Sequence, residues 1–370
     1  MAQAIALAKR GQYTTMPNPR VGCLLARNDM EVVSAWHAMA GFGHAEVLAL
    51  EAAVNVGEVT KGLTAYVTLE PCSHTGKTGP CADALIAAGI GRVVYGMRDP
   101  NPQVSGRGLE KLAAAGIEVA GPCLETECQA LNPGFIMRMQ QGRPLVRCKL
   151  AMSLDGRTAM ASGESQWITS SDARTDVQRL RARSCAIVTG IGSILHDDSS
   201  LTIRAEELQL ENSKQVAERQ PWRVILDSNQ RLPIDSKVLQ YGAVKTCVVS
   251  VCDKARPEIN ALGATQCHFG SDQTNKIDLE KVINWLAAQQ CNEVLVEAGA
   301  ELAGAFLQAG LLDEIIVYMA PKLMGSNARP LFDLPLERMA QQIPLQIVDV
   351  RAIGCDWRIT VKPDIKQTVE

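Results

Sequence analysis

His44-Ala45-Glu46, followed by Pro71-Cys72 and then Cys81, supplies one imidazole, two thiolates and a spare carboxylate. That is the donor set of a zinc ion with three protein ligands and one open position. Zinc held this way lowers the pKa of a bound water from about 15.7 towards about 7. The hydroxide so formed can attack an amino-substituted ring carbon if a neighbouring carboxylate shuttles protons. His44 and Glu46 stand two residues apart, on nearly opposite sides of a regular helix. They can share a site only at a helix's first turn, and Gly41-Phe42-Gly43 before them suits such an opening. Cys81, after Pro80, opens a second helix, where the dipole favours a thiolate. Glu46 is then the proton shuttle and not a ligand. A closed structural site would need a fourth ligand, for which His74 is the nearby candidate. Buried thiols and an incidental His-x-Glu are the plain alternative, and the joint occurrence at two helix starts opposes it.

The elements around these groups alternate between strand and helix. Residues 21–26 and 31–36 form a predicted hairpin turning at Asn28-Asp29. A helix over 44–56, a strand over 64–69, a helix over 81–88, a strand over 92–97 and a helix over 108–115 follow. This pattern implies a three-layer α/β sandwich. Residues 125–141 read as one helix leading into a hinge at Gly142-Arg143-Pro144. The alternation then restarts, with strands predicted over 145–151, 186–190, 223–227, 246–251, 293–296 and 314–320. Helices are expected over 172–183, 279–289 and 302–309. Residues 357–361 read as an edge strand and 205–220 as a mobile polar excursion. The predicted division is a first domain over 1–142 that carries the zinc donor set and a second α/β domain over 143–370, as befits 370 residues.

Hydrophobic residues make up 46% and charged residues 21%, with a net charge of −3, which describes an ordinary soluble protein. No dense Lys/Arg run suggests a grip on nucleic acid, and no apolar run approaches the roughly 20 residues that span a bilayer. Residues 1–10 read as a short amphipathic helix and not as a signal peptide. Twelve scattered cysteines, several in apolar runs, suit buried thiols in a reducing cytoplasm. The expected partners are small molecules, with neither nucleic acid nor membrane. Between the site's cysteines, His74, Gly76, Lys77 and Gly79 could hold an anionic tail, or Lys77 could simply be solvated.

Zinc-dependent nucleobase deaminases carry His-x-Glu and a later Pro-Cys-x-x-Cys. Here eight residues separate Cys72 from Cys81. That wider spacing, with Pro17-Asn18-Pro19-Arg20-Val21-Gly22, Thr68-Leu69-Glu70-Pro71-Cys72-Ser73-His74 and Asp99-Pro100-Asn101-Pro102, resembles the bifunctional deaminase–reductase family of riboflavin biosynthesis. The later half resembles the same family through residues 149–156, Gly163-Glu164-Ser165-Gln166-Trp167-Ile168-Thr169, Asp197-Asp198 and Val296-Glu297-Ala298-Gly299. The resemblance runs in family order over nearly the whole chain. Met1 is expected to fall close to or within the first helix, earlier than is usual there.

The resemblance implies a cytidine-deaminase-like fold followed by a dihydrofolate-reductase-like α/β domain. It implies hydrolytic deamination of 2,5-diamino-6-(5-phosphoribosylamino)pyrimidin-4(3H)-one. NADPH-dependent reduction of the product's ribosyl group to ribityl would follow. His44, Cys72 and Cys81 would bind Zn2+, with Glu46 as general acid/base, and Asn18, His37, His74, Lys77 and Asn101 would contact the deaminase substrate. Ala151, Trp167, Ser193, Asp197, Ser228, Gly299, Ala300, Glu301, Leu302, Ala303, Gly304 and Ala305 would line the NADPH site. Ser165, Arg181, Leu201, Arg204 and Glu297 would hold the reductase substrate. A homodimer through the reductase domain is implied as well.

Read as chemistry, a strand ending at Glu297, then Gly299 and a helix, can cradle a pyrophosphate. It is not a Gly-x-Gly-x-x-Gly fingerprint, so a Rossmann fold is not indicated. Taken alone, Arg181 could be a solvated helix face, Trp167 a core residue, and Lys149 and Asp197 satisfied structural groups. Two rival functions are a tRNA or free-base deaminase with an appended domain, and a zinc-stabilised scaffold. The acidic balance and second-half motifs oppose the first, and a spare Glu46 opposes the second.

Overall fold

The computed structural model describes residues 1–73, 79–102, 104–241, 244–270 and 276–364. The chain forms two compact units, Met1–Arg143 and Pro144–Glu370.

In the first unit the order is α1 (Ala2–Lys9), β1 (Gly22–Arg27), β2 (Met30–Trp36), α2 (Ala45–Asn55) and β3 (Thr64–Val67). Then come α3 (Cys81–Ala87), β4 (Arg92–Tyr95), α4 (Arg107–Ala114), β5 (Glu118–Ala120), α5 (Glu125–Leu131) and α6 (Pro133–Gln141). The sheet runs β2-β1-β3-β4-β5, antiparallel across β2-β1-β3 and parallel thereafter. The helices group as α1 with α5 and as α2 with α3 and α4, giving the expected sandwich. Leu25, Leu63 and Leu85 are fully buried, each stabilising the unit by about 1.5–3 kcal/mol. Gly22 lets α1 lie on β1, since an added Cβ would stand 2.0 Å from the Ala4 carbonyl oxygen.

The single helix expected over 125–141 is two. Pro133 excludes helical backbone at Asn132 (φ −131°, ψ 44°) and begins α6. The break is put to use. Asn132 Oδ1 accepts from Arg20 N at 2.7 Å, and its Nδ2 donates to Arg20 O at 2.9 Å.

The second unit begins with β6 (Leu145–Ser153), β7 (Arg157–Ala159), α7 (Ser171–Arg183), β8 (Ala186–Gly190) and α8 (Ile191–Asp197). Next come α9 (Ala205–Leu208), α10 (Ser213–Glu218), β9 (Trp222–Leu226), α11 (Lys237–Gln240), β10 (Thr246–Ser250), α12 (Pro257–Ala261) and β11 (Thr265–His268). It ends with α13 (Leu279–Ala288), β12 (Glu293–Glu297), α14 (Ala300–Gln308), β13 (Glu314–Ala320), β14 (Arg329–Pro330), β15 (Leu345–Ile353) and β16 (Asp356–Pro363). Nine strands run β11-β10-β9-β8-β12-β6-β13-β16-β15. Pairing is parallel from β11 to β13 and antiparallel across β13-β16-β15. Apolar runs such as Val294-Leu295-Val296, fully buried, are what a parallel sheet covered on both faces requires.

Two further expectations are corrected. Residues 357–361 belong to β16, which lies between β13 and β15, so β15 is the edge. A register shift between Ile347 and Asp349 interrupts β15's alternation and hides it from a period-2 reading. Residues 205–220 are pinned down, with Leu208 and Val216 fully buried on α9 and α10. Gln220 adds bonds to both Ile203 N and Ile203 O.

Candidate functional sites

In the first unit the expected ligands converge. His44 caps α2 in extended backbone (φ −71°, ψ 160°), Glu46 lies in that helix's first turn, and Cys81 is the first residue of α3. His44 Nδ1 stands 3.1 Å from Cys81 Sγ and 3.6 Å from Cys72 Sγ. All three donor atoms lie within 4.8 Å of one another. Tetrahedral zinc bonds of about 2.0–2.3 Å separate neighbouring ligands by about 3.3–3.8 Å, so the set fits a zinc ion. Three donors form this cluster among the described residues.

The electrostatics agree with a cation site. Cys72 is drawn down to about 4, first by the hydrogen bond from the Cys81 thiol. Cys81 is pushed up as the holder of that proton. His44 is raised, first by its hydrogen bond with Cys72. A site this eager for positive charge suits Zn2+. Glu46, 3% exposed, is pushed up to about 7, chiefly by burial. A carboxyl tuned there can accept and return a proton near neutrality.

His37 and Asn18 stand beside the ligands. The His37 ring meets the His44 ring edge-on at 5.5 Å. Its Nδ1 is 3.0 Å from Gly43 O, an acceptor, so Nδ1 carries the proton and Nε2 accepts from Asn18 Nδ2 at 3.1 Å. Burial lowers the His37 pKa and keeps this tautomer neutral. Asn101 lies between β4 and α4, where its N–H donates to Asp99 Oδ1. His74 and Lys77 lie outside the described residues.

Glu70 is a residue the sequence reading quoted without a role. Buried at 2%, it accepts from Asp99 N, Gly106 N and Gly108 N at 3.2, 3.0 and 3.0 Å. It thus hangs the Asn101 loop and the start of α4 on the chain just before Cys72. Its signal was an acid inside an apolar strand end, which must find donors once buried.

In the second unit the expected cofactor residues gather at the carboxyl ends of four contiguous parallel strands. Ala151 is on β6, Ser193 and Asp197 are on α8 after β8, Ser228 follows β9, and Gly299 follows β12. After β8 the chain steps outward to β9. After β12 it crosses to β13 on the other side. Such a reversal opens the crevice where α/β sheets take ligands. Gly299 caps α14, and an added Cβ there would meet nothing within 4 Å, leaving room for a phosphate at the helix N-terminus. Within the same expected run Ala300, Glu301, Leu302 and Ala305 follow on α14. Ala303 is fully buried, and Gly304 is backed by the Asp333 carbonyl, 2.2 Å from a Cβ built there. Trp167 is 64% exposed and not core, with Arg174 stacked 4.7 Å from its ring.

The expected substrate residues partly hold one another. Arg181 forms a paired bond with Glu297, Nε to Oε1 at 2.7 Å and Nη2 to Oε2 at 2.9 Å, and its Nη1 donates to Thr202 O. It is therefore no solvated helix face. Burial raises the Glu297 pKa, but Arg181 more than offsets it and holds the carboxyl below its usual range. Leu201 is buried, with φ +53°, on the loop that Arg181 grips. Arg204 is exposed and pairs with Glu207 at 2.7 Å. Ser165 lies half-buried in the 160–167 segment. Lys149, left unassigned from sequence, faces Glu297 in register on β6. Burial lowers its pKa against the pull of Glu297.

Residues 144–359 match the family model described as RibD C-terminal domain, and residues 1–97 match the cytidine and deoxycytidylate deaminase zinc-binding region. The riboflavin biosynthesis protein RibD of Escherichia coli K12 is 49% identical over 96% of each chain. That of Haemophilus influenzae is 45% identical over 98% of this chain and 96% of its own. The solved Acinetobacter baumannii RibD superposes with a TM-score of 0.89 at 45% identity, covering 98% of this chain and 97% of that one. A Thermotoga maritima structure, described as a diaminohydroxyphosphoribosylaminopyrimidine deaminase/5-amino-6-(5-phosphoribosylamino)uracil reductase, gives 0.85 at 33% identity over the same shares.

Proposed function

The chain belongs to the RibD family of riboflavin biosynthesis, and from that premise we propose how its residues divide the family's two reactions. It is a bifunctional enzyme, a zinc-dependent deaminase and an NADPH-dependent reductase acting in turn on one phosphoribosylaminopyrimidine. We assign deamination to residues 1–142 and reduction to 143–370. The observation that carries this is the convergence of His44, Cys72 and Cys81 beside a buried Glu46.

His44, Cys72 and Cys81 hold the zinc, which when bound supplies the Lewis acidity that makes a water nucleophilic near neutral pH. Glu46 takes the proton from the attacking water and gives it to the departing amino nitrogen, which leaves as ammonia. His37 fixes the Asn18 amide by accepting from Nδ2, so Asn18 Oδ1 is left to accept from the pyrimidine's N–H groups. His74, Lys77 and Asn101 complete the substrate contacts in this reading.

Reduction needs the nicotinamide held against the sugar's C1′ with water excluded. Ala151, Trp167, Ser193, Asp197, Ser228 and the start of α14 would hold the cofactor, and the open space at Gly299 would admit its pyrophosphate. Arg181 keeps Glu297 ionised, and Lys149, in register with it on β6, is placed to meet a polar substrate atom beside C1′. Ser165, Leu201 and Arg204 hold the remainder of the substrate. A product-mass assay on the diaminopyrimidinone ribosyl phosphate tests the whole scheme. Loss of the amino group without NADPH, then a gain of two hydrogens with it, is expected. Absence of deamination by the zinc-loaded protein would overturn it.

Among the described residues no helix is long and apolar enough to cross a membrane. Twelve cysteines scattered along the chain support a reducing cytoplasm as its compartment. A homodimer through the reductase domain is supported by β15, an edge strand exposing Leu345, Ile347, Val348 and Val350. Light scattering should find Ile347→Lys monomeric, and an unchanged dimer would remove β15 from the interface.

A further inference from the structure

Two hydrogen bonds join segments that each carry proposed cofactor residues. His196, on α8 between Ser193 and Asp197, has Nε2 2.8 Å from Gly163 O. That oxygen can only accept, so Nε2 bears the proton. In return Gln166, between Ser165 and Trp167, donates from Nε2 to Asp197 Oδ1 at 3.2 Å. The 160–167 segment is a tight turn, with Met160 N bonded to Glu164 O and Gly163 at φ +95°. Its two ends are anchored elsewhere. Before it, β7 pairs with β14. After it, Lys322 Nζ donates to Trp167 O and Ile168 O at 3.1 and 2.8 Å. The middle of the turn is thus held against α8 by the reciprocal pair. The pair sits on α8, which follows the carboxyl end of β8.

We infer that His196 and Gln166 are positioning residues that latch the 160–167 turn onto α8 and thereby slow departure of the nicotinamide cofactor. The latch rests on the reading that Ser193, Asp197, Trp167 and Gly299 line the cofactor site. Neither side chain is needed for hydride transfer itself. Their effect falls on how long Trp167 and Ser165 stay in place beside α8. A hydrogen bond of this kind changes an equilibrium by about 0.5–1.5 kcal/mol, so its loss should speed opening on the order of threefold to tenfold.

The test is NADPH release from the full-length zinc-loaded protein, without pyrimidine. Stopped-flow follows energy transfer from tryptophan to bound nicotinamide while excess 2′,5′-ADP traps the vacated site. His196→Ala should raise the release rate roughly threefold to tenfold and raise the KM for NADPH without lowering kcat. His196→Gln keeps an N–H donor at similar reach and should restore slow release. Gly299→Val tests the underlying site, because the added side chain enters open space and should fold normally. If His196→Ala releases NADPH at the parent rate while Gly299→Val no longer binds it, the latch is wrong and the site stands. If Gly299→Val binds like the parent, the site reading falls and the latch with it. Equal acceleration in His196→Ala and His196→Gln would make His196 a packing group and also overturn the latch.

Discussion

Gly108→Ala places one methyl group where the deaminase site is least able to accept it. Gly108 lies in the first turn of α4, and its N–H donates to Glu70 Oε1 at 3.0 Å. A Cβ built on it would stand 1.9 Å from the Pro71 carbonyl oxygen, 3.2 Å from its carbon and 3.3 Å from Glu70 Oε1. Real Cβ atoms essentially never approach within 3.0 Å, and the obstacle is backbone, which cannot rotate aside. Either α4 or the Pro71-Cys72 segment must therefore move by about 1 Å. Overpacking of this kind costs about 1–3 kcal/mol. Weakening the charge-assisted bond to Glu70 adds about 1.5–3 kcal/mol. Cys72 is the next residue along, so the displacement reaches a zinc ligand, and misplacement by about 1 Å costs on the order of a hundredfold in rate. The assay is zinc content by mass spectrometry, with deaminase kcat/KM and reduction of pre-deaminated substrate measured on the same preparation. Weakened zinc retention and deamination down roughly a hundredfold, with reduction intact, are expected. A variant that holds full zinc and deaminates within about threefold of the parent would refute the packing argument, and loss of reduction as well would indicate general misfolding.

Glu46→Gln should retain zinc while deamination falls on the order of a hundredfold to ten-thousandfold, and pre-deaminated substrate should still be reduced. Normal deamination by that variant, read by product mass, would remove Glu46 from its role. Arg204→Ala should raise the KM of the reductase substrate roughly tenfold or more by losing a charged hydrogen bond, with deamination unchanged. Its exposed pair with Glu207 is worth no more than about 1 kcal/mol, so the melting temperature should hardly move. Equal damage to both activities would make it a folding defect.

The metal centre was legible because its chemistry is local. His44, Glu46 and Cys81 each declare a helix start by their neighbours, and helix starts can be read from sequence. The succession of β12, Gly299 and α14, expected to cradle a pyrophosphate, was legible as elements for the same reason, since a strand, a glycine and a helix succeed one another in a short run. Family motifs carried the scattered residues Ala151, Ser193 and Ser228, which have no local signature. The strand order was not legible. It alone brings β9, β8, β12 and β6 side by side, because strand pairing is decided by burial between residues far apart in the chain. The same cause hid the break at Asn132, whose purpose is a backbone 112 residues away at Arg20. It also hid the three N–H groups that converge on Glu70. Local periodicity and capping therefore determined most elements and the zinc donor set. Only tertiary packing decided that Arg181 is committed to Glu297, that Lys149 faces them, and that β15 and not β16 forms the edge. Those outcomes depend on which buried charges and unpaired backbone groups find partners once the sheet has assembled.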